Sequence, residues 1–409
     1  MQKRLQSASE IRRSILLGIA VGIGIGIVFG AGFFFRDLIG DRFLLPSSVS
    51  GDYALLREVQ GLLDRHYLRE QPDIVQREYA AIRGMLQSLG DPYTFFIDPP
   101  VAASESDALA GAYGGIGVQV QRNAEGELIL YPFNDSPALS AGIDAGDILR
   151  AINGSPIDVG LSNDAIDQML RGEVREGNGV ELTVDKTETG ESLTVFVPFA
   201  VINVPSVVWR TLPENQAVGY IQVMRFTSRT PDELRQGLTE LNAAEVEALM
   251  LDLRNNNGGL LQESITVADE FLEGGTIVTE RSNRGDRLYT ATNGGLGVEL
   301  PLVVLVNEGT ASGAELVAGA LQDNDRAILI GQTTYGKGTV QQIFPLQDGS
   351  SLHVTSAEWF TPDQQRLNEN GLQPDIVTNV DPSGRDVELE AALAYLVEQG
   401  IPETALESF

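Results

Sequence analysis

The sequence predicts a multidomain α+β protein with an N-terminal membrane anchor, a helical segment, a small β-rich domain and an α/β core. Three observations predict this fold class. The chain has 409 residues, which is more than one ordinary hydrophobic core accommodates, so more than one domain is expected. An uncharged apolar run lies near its N-terminus. Short alternating stretches are followed, in the second half, by strand–helix–strand patterns.

The apolar run covers residues 14–35, SILLGIAVGIGIGIVFGAGFFF, and contains no charge over 22 residues. About 20 apolar residues span a bilayer, so this run predicts a single-pass transmembrane anchor. Residues 1–13 carry a net charge of +3, which predicts a cytoplasmic N-terminus and a periplasmic or extracellular remainder. A cleaved signal peptide is the alternative, and the sequence leaves open whether the segment is retained.

Residues 36–104 are interpreted as a linker followed by helices. From Asp52, apolar residues recur at helical spacing, and a second helical stretch over 74–89 ends at Gly90-Asp91-Pro92. These helices are too few to form a core of their own. We therefore expect them to pack on a later domain or on a second subunit, which predicts a homodimer or a higher oligomer.

Residues 105–200 predict the β-rich domain, because a Gly-rich stretch and alternating segments are separated by turns such as Asn153-Gly154. Residues 201–380 predict the α/β core. The expected elements of that core are strands over 219–223, 248–253 and 302–306, and helices over 231–241 and 312–322. Residues 381–409 carry a final amphipathic helix over 386–398. The alternation of strands and helices over residues 201–380 predicts a mostly parallel sheet with helices packed on it.

Composition excludes several functions. The net charge of −29 argues against nucleic-acid binding, which needs a cationic surface. The absence of cysteine excludes disulfides, cysteine nucleophiles and thiolate metal sites. The two histidines, His66 and His353, are interpreted as structural residues on a helix and a strand. We expect neither a metal nor a cofactor.

Ser312 is the candidate nucleophile. It follows an apolar strand and a small-residue turn, and a helix begins beside it. This pattern exposes a hydroxyl at the carboxyl edge of a sheet, where open α/β sheets place their sites, and leaves helix N–H groups free to bind an oxyanion. An ordinary helix N-cap is the alternative interpretation of this serine.

Lys337 is the candidate general base, since it lies between two glycines just before a strand-like stretch. A desolvated lysine loses proton affinity and can act as a base near neutral pH. The buried strand ending in Asp252–Gly259 offers further N–H donors in its Gly-Gly turn. Asp323 lies about 16 Å along the helix axis from Ser312. We expect it to pair with Arg326 or to cap a neighbouring turn.

The ordered set of these motifs resembles the C-terminal processing peptidases, also called tail-specific proteases. The resemblance runs over nearly the whole chain after the apolar run. It rests on the segments 84–93, 114–118, 136–142, 219–221, 252–259, 307–316, 322–323, 335–341, 361–362 and 371–375. It implies that Ser312 is the nucleophile, that Lys337 is the general base and that Gln341 orients the lysine. It also implies that the N–H groups of Gly258 and Gly313 form the oxyanion hole. Proline is common in the family at position 257, and alanine is usual at position 313, where this chain has Asn257 and Gly313.

The β-rich domain resembles a PDZ domain, and the α/β core then corresponds to a serine protease core. The resemblance implies that the N–H groups of Ile116, Gly117 and Val118 hold the terminal carboxylate of a protein or peptide substrate. Arg171 is a candidate for coupling a filled PDZ domain to the catalytic site. The implied function is a serine endopeptidase that cleaves exported or membrane-attached proteins selected by their C-terminal tails. A binding scaffold on an inactive protease fold and a histidine-based hydrolase are the alternatives.

Overall fold

A computed structural model describes residues 53–123, 126–157, 161, 163–368, 370–379, 381 and 383–403. The predicted cytoplasmic N-terminus (1–13), the predicted anchor (14–35), nearly all of the linker and residues 404–409 lie outside these ranges. The chain divides into two compact units between Arg77 and Glu78. In the described part of the first unit, Arg77 forms an ion pair of 2.9 Å with Asp64.

The helices of the described residues follow one another along the chain. They are α1 (Ala54–His66), α2 (Ile74–Gln87), α3 (Pro99–Ala110), α4 (Pro137–Ser140), α5 (Asn163–Met169), α6 (Thr230–Ala243), α7 (Leu261–Asp269), α8 (Gly313–Asp323) and α9 (Val387–Glu398). The predicted helices over 231–241, 312–322 and 386–398 correspond to α6, α8 and α9 within two residues at each end.

The strands fall into a first and a second half. The first half contains β1 (Phe95–Ile97), β2 (Ala112–Gly115), β3 (Val118–Arg122), β4 (Leu128–Pro132), β5 (Asp147–Ile152), β6 (Ser155–Pro156), β7 (Gly179–Asp185), β8 (Ser192–Pro198) and β9 (Ala200–Asn203). The second half contains β10 (Val207–Thr211), β11 (Val218–Val223), β12 (Ala248–Asp252), β13 (Thr276–Ser282), β14 (Gly285–Thr290), β15 (Leu302–Val306), β16 (Ile328–Gly331), β17 (Thr339–Pro345), β18 (Ser351–Phe360) and β19 (Ile376–Val377).

The membrane localisation predicted from residues 14–35 is corrected by the structure. Among the residues that it describes, no helix is long and apolar enough to cross a membrane. The longest of them, α2 and α6, have 14 residues and extend about 21 Å, whereas a hydrocarbon core is about 30 Å thick. The single-pass anchor, and the periplasmic or extracellular location that followed from it, are therefore withdrawn.

The central sheet has the strand order β10-β11-β12-β15-β16-β19, in which only the β10–β11 pair is antiparallel. Strands β12 and β15 are buried along their whole length, as the apolar runs ALMLD and LVVLV predict for strands covered on both faces. Buried side chains of α6, α7 and α8 contribute to one core cluster with this sheet, and α9 contributes to a second. The prediction of a mostly parallel sheet is confirmed.

A second, antiparallel sheet is organised around the long strand β18. It pairs with β17 over most of its length, and with β1 and β13 at its two ends. The β17–β18 pairing has a register irregularity between Val340 and Gln341. Such bulges redirect a side chain, and Gln341 is a residue of the site described below.

A β-rich module lies between β2 and β9, which pair antiparallel as a two-stranded ribbon. Inside it, an antiparallel sheet has the order β3-β4-β5-β7-β8, and β6 pairs with β5. Buried apolar side chains from these strands, α4 and α5 form a core cluster separate from that of the central sheet. The fold is therefore multidomain α/β, and the predicted domain bounds remain predictions.

Candidate active site

Three loops meet at the carboxyl edge of the central sheet. The loop after β12 contains Gly258, the turn after β15 contains Ser312, and the loop after β16 contains Lys337. Strands β12, β15 and β16 are parallel neighbours, so their carboxyl ends lie at the same edge. The topology thus brings together three residues that are up to 79 positions apart in the chain.

Ser312 lies in a strained turn. Its backbone has φ 56° and ψ −118°, a conformation that costs a non-glycine residue on the order of 1–3 kcal/mol. Thr310, which is fully buried, anchors this turn because its hydroxyl donates to the Leu253 carbonyl at 2.8 Å and accepts from the Asn307 N–H at 3.0 Å. A sharp strand-to-helix turn of this type presents a serine hydroxyl at the top of a sheet.

Glu315 joins the serine turn to the lysine loop. Its fully buried carboxylate accepts hydrogen bonds from the N–H groups of Ser312 (2.9 Å), Gly336 (2.7 Å) and Lys337 (2.9 Å), and from the Thr334 hydroxyl (2.5 Å). Buried carboxylates are tolerated when all their lone pairs are satisfied in this way. The link that this residue makes between the two loops was not predicted from the sequence.

The Lys337 ammonium group lies beside Gln341 and is partly buried. Its Nζ donates to Gln341 Oε1 at 2.6 Å, and Gln341 Nε2 donates to the Tyr93 carbonyl at 2.5 Å. This second bond fixes which end of the amide faces the lysine. Desolvation lowers the pKa of Lys337, while the nearby Glu105 carboxylate opposes this shift. Burial therefore favours the neutral amine that a general base requires.

Ser312, Lys337 and Gln341 line one cavity of about 250 Å³. Its walls also include Glu105 and Arg225, as well as apolar side chains from β1, α3, α7 and β17. Neither Glu105 nor Arg225 was predicted from the sequence to lie in this site.

Gly258 and Gly313 lie beside Ser312. A β carbon at Gly258, where φ is 97°, would lie 2.8 Å from Ser312 Cβ and 2.9 Å from the Gly313 nitrogen, so only glycine fits. The Gly258 N–H, however, donates to Asn256 Oδ1 at 2.9 Å. An oxyanion would therefore have to displace this buried side chain, which also donates to the Val223 carbonyl at 2.8 Å.

The two histidines differ in their surroundings. His66 is exposed on α1. His353 lies on β18 and lines the cavity, where its Nε2 lies 2.9 Å from Glu105 Oε2 and its ring stacks on Phe95 at 4.6 Å. The interpretation of His353 as structural agrees with these contacts but missed its position in the cavity wall.

Asp323 has the role of a turn cap. Its carboxylate accepts from the Asp363 N–H at 2.9 Å. Arg326, the other expected partner, donates instead to three backbone carbonyls, one of them that of Phe271. No group of three or more His, Asp or Glu residues in the described ranges is placed to hold a metal ion.

The proposed carboxylate-binding residues lie where β2 of the module ends and β3 begins. Gly117 has φ 71°, and a β carbon there would lie 2.6 Å from Ser136 Cβ. The N–H of Ile116 donates to the Leu170 carbonyl at 3.3 Å. Of the three predicted donors, Ile116 is thus already engaged, which leaves Gly117 and Val118 as the better candidates.

Arg171 follows α5 and lies in the wall of a second, largely apolar cavity of about 530 Å³. Its guanidinium forms ion pairs with Asp167 (2.5 Å) and Asp107 (3.9 Å) and lies 4.0 Å from the centroid of the Tyr113 ring. It does not line the cavity that contains Ser312.

Comparison with known proteins agrees with this architecture. The sequence signature of peptidase family S41 matches residues 217–378. A carboxyl-terminal-processing protease of Picosynechococcus sp. is 36% identical over 82% of this chain and 83% of its own length. A carboxy-terminal-processing protease of Bartonella bacilliformis is 36% identical over 73% of this chain and 68% of its own length.

Two solved structures are also similar to this chain. A photosystem II D1 C-terminal processing protease is 30% identical, covers 86% of this chain and 92% of its own, and has a TM-score of 0.48. A putative S41 protease of Bacteroides fragilis has a TM-score of 0.50 at 17% identity, covering 84% of this chain and 97% of its own, which shows a common fold.

Proposed function

Because this chain belongs to the carboxyl-terminal processing proteases of peptidase family S41, and is therefore a serine peptidase, we propose that it cuts with a Ser312–Lys337 dyad. One observation carries the proposal. The strained serine and the lysine with the lowered pKa line the same cavity at the carboxyl edge of the sheet.

Neutral Lys337 removes the proton from the Ser312 hydroxyl as its oxygen attacks the scissile carbonyl. The bond between that oxygen and the carbonyl carbon forms while the carbonyl π electrons move onto the oxygen. The N–H group of Gly313 stabilises this oxyanion, together with that of Gly258 once Asn256 releases it. The oxyanion electrons then re-form the carbonyl, the scissile C–N bond breaks, and protonated Lys337 gives its proton to the leaving amine.

The acyl-enzyme is hydrolysed in a second step. Lys337, neutral again, activates a water molecule that attacks the ester carbon, and Ser312 leaves with the proton returned by the lysine. Gln341 has a positioning role, because it accepts from the lysine Nζ while Tyr93 fixes its amide. No step needs a metal or an organic cofactor.

On the substrate side, we propose that the β-rich module is a PDZ domain that binds the free C-terminus of a protein substrate. The support is its separate core and the glycine turn at Gly117, whose N–H groups are suited to a carboxylate. We also propose that Arg171 couples this site to the catalytic cavity, since it lies beside Gly115 at the edge of the module.

Self-association is a further part of the proposal. It rests on the apolar residues of α1, which are largely exposed, including Leu55 (77%), Leu56 (51%) and Val59 (50%). Sedimentation at increasing protein concentration measures it. A constant monomer mass at all concentrations would remove this part of the proposal.

Cleavage of a model protein with an apolar C-terminal tail tests the catalytic proposal. We expect the unaltered chain to cut it, and Ser312→Ala and Lys337→Ala to lose turnover while keeping the fold, as measured by circular dichroism. Appreciable activity of Lys337→Ala would rule out this lysine as the base. Amidation of the substrate C-terminus should then weaken cleavage by the unaltered chain if the module selects a free carboxylate.

A further inference from the structure

Arg225 has a charge that nothing in the described part of the chain neutralises. Its guanidinium group forms no hydrogen bond or ion pair among the described residues, and its Nε is shielded from solvent without a partner. The chain has 57 acidic residues against 28 basic ones, so carboxylates that could pair with a cation are abundant. A shielded polar atom that has no partner indicates a missing ligand or a strained site.

The other partly buried arginines of the described residues have partners. The Nε atoms of Arg77 and Arg171 are also shielded without a partner, but both guanidinium groups form ion pairs through their other nitrogens. Arg254 forms ion pairs with Asp252 and Asp386. Arg229 pairs with Glu233, and Arg326 donates to backbone carbonyls. Arg225 therefore differs from these partly buried arginines, because its guanidinium group has no hydrogen-bond or ion-pair partner among the described residues.

The position of Arg225 connects it with substrate. It lies just after β11 and lines both the cavity that contains Ser312 and the larger cavity of about 530 Å³ beside the β-rich module. The larger cavity is bordered by apolar side chains that are partly exposed, such as Met224 (41%) and Val208 (42%). An extended peptide that passes from one cavity to the other would meet the guanidinium group beside the nucleophile.

The other charged groups of the catalytic cavity do not satisfy Arg225. Glu105 is held by His353 at 2.9 Å, and Lys337 is a second basic group, engaged with Gln341. A planar guanidinium binds carboxylates through parallel hydrogen bonds. A carboxylate supplied by the substrate is the chemical group that fits this site.

We propose that Arg225 binds a carboxylate of the peptide substrate next to the cleaved bond and thereby makes this chain prefer acidic substrates. The inference rests on the protease function proposed above and adds a specificity-determining residue to it. The carboxylate has two sources in a peptide, an Asp or Glu side chain near the cleaved bond or the terminal carboxylate itself.

Matched peptides test the proposal on the full chain. In the first pair, one peptide carries Glu and the other Gln at a single position near the cleaved bond, and both have a free C-terminus. Each such position is tested in turn. In the second pair, both peptides carry Gln at all of these positions, and one has a free and the other an amidated C-terminus. We expect kcat/KM for the carboxylate-bearing member of one pair to exceed that of its partner about tenfold, because a charge-assisted hydrogen bond contributes about that much.

Substitution of the arginine shows whether it is the cause. Arg225→Gln should remove that preference while cleavage of the neutral peptide continues, and Arg225→Glu should favour a Lys peptide over a Gln peptide. Arg284→Gln is the control, because it removes the same charge from an exposed turn that lines neither cavity. Loss of the preference in the first pair identifies a side-chain carboxylate, and loss in the second a terminal one.

Four outcomes contradict the inference. Equal rates for the members of both pairs would overturn it and leave the proposed protease function intact. An unchanged preference in Arg225→Gln would assign the selectivity to another residue. An equal loss on acidic and neutral peptides would show that Arg225 supports the fold or the chemistry and does not bind a carboxylate. No cleavage of any peptide by the unaltered chain would instead contradict the proposed function, and the inference with it.

Discussion

At the scale of single residues, Glu315 accepts hydrogen bonds from the backbone N–H groups of both Ser312 and Lys337, the proposed nucleophile and base. Glu315→Gln preserves the shape of the side chain. It replaces one carboxylate oxygen, which accepts hydrogen bonds, by an NH₂ group that donates and would face other donors. We expect loss of these bonds to destabilise the protein by about 2 kcal/mol or more. Since the Ser312 and Lys337 backbones are both held by this carboxylate, we also expect kcat to fall about 100-fold.

Urea unfolding and steady-state kinetics measure the two effects. Glu398→Gln, on the exposed side of α9, is the matched control and should change neither. If Glu315→Gln unfolded like the control and kept its kcat, the carboxylate would have no positioning role.

The proposed role of Lys337 as general base predicts how cleavage depends on pH. Only the neutral amine accepts a proton, so kcat/KM should rise with pH and level off above the pKa of this lysine. Desolvation lowers that pKa and the Glu105 carboxylate raises it. Glu105→Gln removes the opposing charge, so the pKa falls further and the rising limb moves to lower pH. A limb that stays in place or moves to higher pH would contradict this assignment.

The sequence predicts Ser312 and Lys337 as site residues from local signals, a preceding apolar strand and flanking glycines, and Gln341 only from the family resemblance. Glu315 shows only the local signal of a helix start, because Ser312-x-x-Glu315 matches a capping box, and this pattern does not indicate its contacts with the lysine loop. Its other partners lie 19 or more residues further along the chain. Asn256 and Arg225 were missed for the same reason, as their contacts depend on how separate loops meet.

At the scale of elements, the turn between β15 and α8 combines strain with function. Ser312→Gly removes the β carbon from a position with φ 56°, whereas Ser312→Ala retains it. Both variants should be inactive, and the glycine variant should be more stable than the alanine variant by about 1 kcal/mol. Thermal unfolding of the two compares them directly. Equal stability would mean that the turn is not strained.

Elements with a strong apolar period were predicted within a few residues, because burial on the central sheet dictates that period. The short strand β1 was not predicted, since three residues carry too little pattern. It nevertheless matters for the site, because it pairs with β18 opposite His353 and directly follows the segment that contains Tyr93. Local periodicity does not indicate which distant segments of the chain pair with one another.

At the scale of the whole molecule, the net charge of −29 attracts or repels a charged substrate over long range, before the substrate reaches Arg225. Acidic peptides should be repelled over long range and basic peptides attracted. Raising the ionic strength from about 0.01 M to about 0.15 M shortens the screening length from about 30 Å to about 8 Å. We expect kcat/KM to rise severalfold for an acidic peptide and to fall for a basic one. Identical salt responses would exclude long-range steering.

The two-stranded ribbon of β2 and β9 places the two ends of the β-rich module side by side, so the module can be exchanged as a unit. Gly115 and Ala200 are register partners, so the chain leaves the ribbon and returns to it about 5 Å away. A two-residue turn can bridge that gap, and residues 116–199 can then be excised without lengthening any other connection. The same junction accepts a foreign binding module whose own ends are adjacent, so a chimaeric protease with a new recognition domain requires only two splice points.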